Sequence, residues 1–228
     1  MSTTHDPFVL LTVRGTLVPS TLEAARVLHN ETAGSEQGIA AARALGDLSH
    51  NVFSPHLGSK QSSAKQGELL FLDRWVDPKG IMDFFSNAHV QEQANKMFSA
   101  KEPTVWMPAR GSFSYCLPAP RAKTSRFVGM IRAAIKSPEQ AIEAFRSVDA
   151  KAQRDARKRG LVSHELFIKV SHPGDPTLEL LGLDIWHDFD GMTEQYSNQG
   201  DMAALGAAFA GPPVATVWQE APGSWSEW

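Results

Sequence analysis

The feature that most constrains this chain is that it repeats itself. The run Glu68-Leu69-Leu70-Phe71-Leu72-Asp73-Arg74-Trp75-Val76-Asp77 matches Glu179-Leu180-Leu181-Gly182-Leu183-Asp184-Ile185-Trp186-His187-Asp188, and the register holds through Gly80/Gly191 to Ser86-Asn87/Ser197-Asn198. Between 68–87 and 179–198, 10 of 20 positions are identical, where average composition gives about one or two by chance. Looser matches extend outward: Phe8-Val9 with Phe127-Val128, Ser49-His50 with Ser163-His164, His29 with Asp149, and Trp106 to Ser112 with Trp218 to Ser224. A duplicated chain must fold as two copies of one unit. We place the copies at 1–113 and 127–228, joined by a connector over 114–126 that carries Pro118 and Pro120 among polar residues.

Each copy reads as β-α-β-β-α-β. Short apolar runs at Phe8 to Val13 and Phe127 to Ile131 precede helix starts at Pro19-Ser20-Thr21 and Ser137-Pro138-Glu139, where a capping hydroxyl and an early proline coincide. Leu161 to Val170 alternates as a strand, His172 to Pro176 is a turn cluster, and Leu178 to Trp186 is the returning strand. A second helix is expected over about 78–98 and 190–209, then a last strand around Val105-Trp106 and Thr216 to Trp218. That order is the ferredoxin-like split unit, an antiparallel sheet with helices on one face. The central strands are apolar at consecutive positions, Leu69 to Leu72 and Leu180-Leu181, so both faces need cover. A covalent duplicate supplies it if the two sheets meet face to face.

The strand ending in Trp75-Val76-Asp77 and leading into Ile81-Met82-Asp83-Phe84-Phe85-Ser86-Asn87-Ala88-His89-Val90 resembles the dimeric α+β barrel superfamily, in particular its antibiotic-biosynthesis-monooxygenase-like domains. The resemblance implies an α+β fold of two tandem ferredoxin-like repeats forming the barrel within one chain. It also implies a pocket between the sheet and the second helix. The second copy keeps Trp186-His187-Asp188 but has Gly200 where the first has His89.

Candidate chemistry follows from the hairpins. With their turns centred near 62 and 175, His50 falls opposite Trp75 and His164 opposite Trp186. Residues two apart on a strand share a face, so His50 should cluster with Asp73 and Trp75, and His164 with Asp184 and Trp186. A neighbouring carboxylate favours the imidazolium and fixes its orientation, as a general base or an oxyanion partner requires; a hydrogen bond that satisfies buried polar atoms is the competing explanation. The expected catalytic set is His50, His89 and Asp73. The expected substrate-binding set is Trp75, Asn87, Phe85, His164, Trp186 and Asp184. His89 stands out because one copy alone carries it, although its neighbours Gln91, Glu92 and Gln93 also suit a solvated helix face. His187, His29, His56 and His172 read as structural, helix-end or loop residues. The basic run Lys151 to Arg159 reads as a solvated helix face.

Other classes are set aside on composition. A net charge of −3, from 22 basic and 25 acidic side chains, gives no polycationic footprint for nucleic acid. Cys116, the single cysteine, forms neither an internal disulfide nor a thiolate cage. With no signal pattern and no apolar run of about 20 residues, a cytoplasmic location is expected. The 8 histidines are scattered, without HxxxH or HExxH, so no metal is expected. Gly34 to Gly38 lacks the strand-turn-helix setting of a nucleotide site. Haem-degrading monooxygenases, dye-decolorising peroxidases and chlorite-dismutase-like proteins share the layout. The segment 190–209 nevertheless offers no axial histidine, and the helix tryptophan and later histidine of the haem-degrading group fall at Phe84 and Ala94. No cofactor is therefore expected.

The resemblance implies a cofactor-independent, monooxygenase-like enzyme acting on a small apolar or aromatic metabolite, deprotonated by His50 or His89 so that its carbanion meets dioxygen while Trp75 packs on the ring. Cyclisation or isomerisation in the same pocket, or a non-catalytic small-molecule-binding or stress-response protein, are the alternatives. The expected partner is a small molecule, with neither nucleic acid nor membrane. The fused copies form a pseudo-dimer and do not forbid a homo-oligomer. The segment Trp225-Ser226-Glu227-Trp228 either exposes an apolar patch for a partner or folds back.

Overall fold

The computed structural model describes residues 8–116, 126–171 and 174–228, except the side chain of Gln199. Most of the connector and His172 lie outside these residues. The chain forms two compact units. Unit 1 comprises residues up to Ser54, Lys65–Met107 and Ala221–Trp228; unit 2 comprises Pro55–Ala64 and Pro108–Glu220. They differ from the sequence halves at three places: the hairpin segment 55–64 and residues 108–113 go with unit 2, and 221–228 goes with unit 1.

Unit 1 contains β1 (Val9–Leu17), α1 (Leu22–Glu31), α2 (Glu36–Ala44), β2 (Asp47–Pro55, whose last residue belongs to unit 2), β3 (Glu68–Trp75), α3 (Pro78–Phe85), α4 (Ala88–Met97) and β4 (Phe98–Pro108, likewise). Unit 2 contains β5 (Tyr115–Cys116), β6 (Phe127–Ala134), α5 (Pro138–Lys158), β7 (Leu161–Lys169), β8 (Glu179–Trp186), α6 (Phe189–Tyr196), α7 (Gln199–Gly206) and β9 (Val214–Glu220). The order within unit 1 is β4-β1-β3-β2 and within unit 2 β9-β6-β8-β7-β5, with antiparallel pairs β1–β3, β2–β3, β6–β8 and β7–β8 at matching places. This is the ferredoxin-like arrangement expected from the repeat.

Local chemistry explains where the helices break. The single second helix expected in each copy is two helices, because Asn87 and Asn198 leave helical geometry and their side chains accept from the backbone N–H groups that open α4 and α7. Asp77 and Asp188 cap α3 and α6 in the same way. The first helix is also interrupted in unit 1, where Ser35 caps α2, whereas α5 runs unbroken for 21 residues from its Ser137 cap and Pro138.

Register corrects the hairpin geometry. His50 pairs with Asp73, not Trp75, and His164 with Asp184, not Trp186. In both copies the register shifts just before the histidine, between Asp47 and Ser49 and between Leu161 and Ser163. An extra residue in a strand bends it and re-aims the side chains beyond. Asp47 and Leu161 thereby pair with the tryptophans. Trp75, Trp106, Trp186 and Trp218 are fully buried in the cores, and the Trp106 indole N–H donates to Thr12 Oγ1 at 3.0 Å. Among the described residues no helix is long and apolar enough to cross a membrane.

Candidate functional site

The two histidine–aspartate pairs are built alike but have different surroundings. In unit 2, His164 Nδ1–H donates to Asp184 Oδ1 at 2.6 Å. The second oxygen of Asp184 accepts from the Tyr196 hydroxyl at 2.6 Å, and that hydroxyl accepts from the Trp186 indole N–H at 3.2 Å. Tyr196 reaches this position because it lies over Gly129, where a Cβ would come within 2.3 Å of its oxygen. On the other side of the imidazole, Nε2 lies 3.2 Å from Asp149 Oδ2, carried by α5. Both atoms are buried, their mutual contact is a poorly directed hydrogen bond, and neither has another partner among the described residues.

Two carboxylates about one imidazole fix its charge. Burial works against the imidazolium, but the Asp184 charge and the Asp149 and Asp184 hydrogen bonds outweigh it and hold His164 up at about 10. Burial and then the Asp184 charge push the Tyr196 phenol well above its ordinary value. The result is a histidine between acids that favour its protonated form.

A cavity of about 340 Å³ opens against this group within unit 2, at the lower end of small-molecule sites. His164, Asp149, Asp184, Tyr196 and Trp186 form its polar end, with Phe145, Val148, Met130, Ile131 and Leu205 among its apolar walls. Gly182 contributes no side chain to it. Tyr115, paired with His164 in the sheet, closes one side, and the Arg157 guanidinium lies 3.9 Å from its ring centre.

In unit 1 aromatic rings stand at the matching place. His50 Nδ1–H donates to Asp73 Oδ1 at 2.7 Å, as expected from the sequence. At the other nitrogen stands His29, 2.9 Å away, in place of an acid. Burial, and then the His50 charge, lower His29 to about 4, so it remains a neutral acceptor with its Nδ1–H donating to Asn30 Oδ1. The Asp73 interactions outweigh burial and raise His50. Phe71 stands at the position of Gly182, with its ring centre 5.0 Å from that of His50, and Trp228 stacks on His50 at 4.7 Å.

The expected residues therefore divide. His50 meets Asp73, and His164 meets Asp184, to which Trp186 is linked through the Tyr196 hydroxyl. Trp75 is buried against Phe84 with its indole N–H unpartnered. His89 and Asn87 are both exposed, with Asn87 Oδ1 accepting from the His89 backbone N–H at a helix start. A capped polar helix end gives that histidine no reason to turn inward. Phe85 packs in the unit 1 core. His56 is half-buried against Phe189 and donates to Gln219 Oε1 rather than lying solvated. Asp149, Tyr196, Tyr115 and Gly182 were missed, although the repeat alignment already set Asp149 against His29 and Gly182 against Phe71. Among the described residues no group of three or more His, Cys, Asp or Glu is arranged to hold a metal ion.

No protein-family model and no curated protein sequence matches the chain. Solved structures do. An anthrone oxidase-like protein is similar over 96% of this chain and 93% of its own, with a TM-score of 0.65 at 11% identity. A candidate monooxygenase from Lactobacillus acidophilus is similar over 95% and 97%, with a TM-score of 0.61 at 8% identity. Another from Fusobacterium nucleatum is similar over 99% of both chains, with a TM-score of 0.60 at 10% identity. Identity at this level speaks to fold alone. Together with the duplicated β-α-β-β-α-β order, it shows that the chain shares the fold of these structures, with two ferredoxin-like copies on one polypeptide.

Proposed function

We propose that the cavity of unit 2 binds a small, largely apolar or aromatic molecule and acts on it as a monooxygenase-like enzyme without a tightly bound cofactor. One observation carries the reading: a buried His164 held between Asp184 and Asp149 at the floor of a largely apolar cavity. The roles expected of His50 and Asp73 pass to His164 and Asp184, and Asp149 joins them.

The chemistry follows from the charges. His164, protonated, offers Nε2–H to the oxygen of a substrate carbonyl, where negative charge grows when the adjacent carbon loses a proton. Asp149 Oδ2, beside it and without a well-directed donor, accepts that proton. The carbanion then gives its electrons to dioxygen, a C–O bond forms, and the hydroperoxide loses water to leave a new carbonyl. One oxygen atom enters the substrate and the other leaves as water, so the CH₂ carbon is the reductant and no cofactor is required. A haem group suits the cavity poorly: at about 340 Å³ it is lined by Asp149, Asp184 and Asp201, with no Lys or Arg among the described lining residues to meet the haem carboxylates.

Anthrone, suggested by the name of one structural neighbour, is the first substrate to test in an oxygen electrode. The reading expects one O₂ consumed per anthrone, one atom of ¹⁸O₂ in the product, and a loss of about 100-fold or more in kcat for Asp149→Asn. A second reading, binding without turnover, is favoured by the clamping of His164 itself, since a histidine protonated up to about 10 is a poor base. Stoichiometric uptake of anthrone with no oxygen consumption would decide for it.

A further inference from the structure

Unit 1 keeps the histidine–aspartate pair, yet its own segment 221–228 occupies the space beside it. Trp228 pairs with His50 through two backbone hydrogen bonds, His50 N–H to the Trp228 carbonyl at 2.8 Å and Trp228 N–H to the His50 carbonyl at 3.2 Å. Its indole lies over the imidazole at 4.7 Å with the planes 25° apart, while Trp225 leans on His29 at 5.3 Å. Trp228 stands where unit 2 has Tyr115, which pairs with His164 in the same way but keeps its ring 6.3 Å off. The larger ring, laid flat on the imidazole, fills the unit 1 space.

We propose that unit 1 contains a second binding site, for a flat, uncharged bicyclic aromatic molecule of indole size, occupied in the resting chain by Trp228 and opened when 222–228 lifts away. The occupant defines the ligand class: a π-face over a histidine whose partner Asp73 favours the charged form, with Phe71 beside it. The fit is imperfect in one informative respect. The Trp228 indole N–H is buried without an acceptor among the described residues, and an unmet donor weakens the contact. A ring of the same shape lacking that donor should therefore compete well. The segment can lift because Pro222, Gly223 and Ser224 are exposed and Gly223 supplies a turn at φ +96°. Hydrogen bonds from Asn30 Nδ2 and Arg26 Nη1 to the Ser224 carbonyl, from Ser226 N–H to Asn30 Oδ1 and from Val52 N–H to Glu227 Oε1 hold it, and Trp225 is buried in the unit 1 core, so lifting must break these contacts. This inference does not rest on the reading of unit 2.

The test uses the full chain and two probes, indole and its oxygen isostere benzofuran. Gly182→Phe with Ile131→Ala closes the unit 2 cavity, the second change removing the methyl that a Cβ at 182 would meet at 2.8 Å. In that background Trp228→Ala should bind one equivalent of either probe by calorimetry, with benzofuran the tighter. Restoring Trp228 should weaken binding by about 100-fold if the segment is open about 1% of the time. In the unsubstituted chain, benzofuran at saturating concentration should speed amide exchange across 222–228 while unit 2 peptides respond separately. This measurement stands even if Trp228→Ala does not fold. Equal affinity with and without Trp228, no binding by a folded Trp228→Ala chain, or unchanged exchange across 222–228 would overturn the proposal. Loss of binding at unit 2 alone would leave it standing.

Discussion

Asp149 Oδ2 lies 3.2 Å from His164 Nε2, the place where unit 1 sets His29 at 2.9 Å from His50 Nε2. One substitution between copies turns a histidine shared by an acid and a neutral base into one clamped by two acids. Asp149→Asn should bring the His164 titration down from about 10, because it removes a hydrogen bond and a charge that both favour the imidazolium. Following the His164 ring signals by NMR against pH checks this; an unmoved midpoint would assign the shift to Asp184 alone.

The His164 and His29 sites should respond to pH with opposite signs, while Asp47, raised to about 7 by burial and the Asp73 charge, works against the His29 limb. His164, raised in the fold to about 10, adds stability that is fully present below about 6.5 and is lost as pH rises through about 10. His29, lowered to about 4, adds stability present above about 6.5 that is lost as pH falls through about 4. Urea unfolding at acid, neutral and alkaline pH should show both limbs. His164→Gln should flatten the alkaline one, and His29→Asn the acid one.

His50→Ala should destabilise strongly, by about 3–5 kcal/mol, since it leaves the buried Asp73 carboxylate without its partner. Ligand binding at unit 2 should persist in whatever fraction is folded. Thermal melts combined with anthrone titration separate the two effects; lost binding with an unchanged melting temperature would place His50 in the working site instead.

His89→Ala should change neither stability, beyond about 0.5 kcal/mol, nor turnover, because the side chain is exposed. Asn87→Ala should cost about 1 kcal/mol through the lost cap while leaving turnover intact. Parallel melts and oxygen-uptake assays test the pair. A kinetic defect in His89→Ala would reinstate it as a reacting group.

Gly182→Phe with Ile131→Ala should weaken anthrone binding by about 30-fold or more, equivalent to about 2 kcal/mol, by giving unit 2 the ring that unit 1 has in Phe71. Calorimetry on the refolded variant is the measurement, and retained affinity would mean that the cavity beside Gly182 is not where the ligand sits.

The duplication was legible because identities at Glu68/Glu179, Asp73/Asp184 and Trp75/Trp186 lie in single aligned runs. The β-α-β-β-α-β order and the shared face of histidine and aspartate follow from strand periodicity. Pairing His50 with Trp75 failed because the irregularity before each histidine is a local backbone event without a signature in the hydrophobic pattern. Asymmetry drew attention to His89, yet the asymmetries that matter are His29/Asp149 and Phe71/Gly182, each harmless in its own segment. The sequence by itself determined two copies, their topology and a buried histidine–aspartate pair in each, since these depend on neighbours along a strand or across a hairpin. Only the tertiary structure decided what surrounds each pair. The cavity of unit 2 is the volume left between α5 and β8, and the rings beside His50 in unit 1 meet it only after residues as distant as His50 and Trp228 have been brought together.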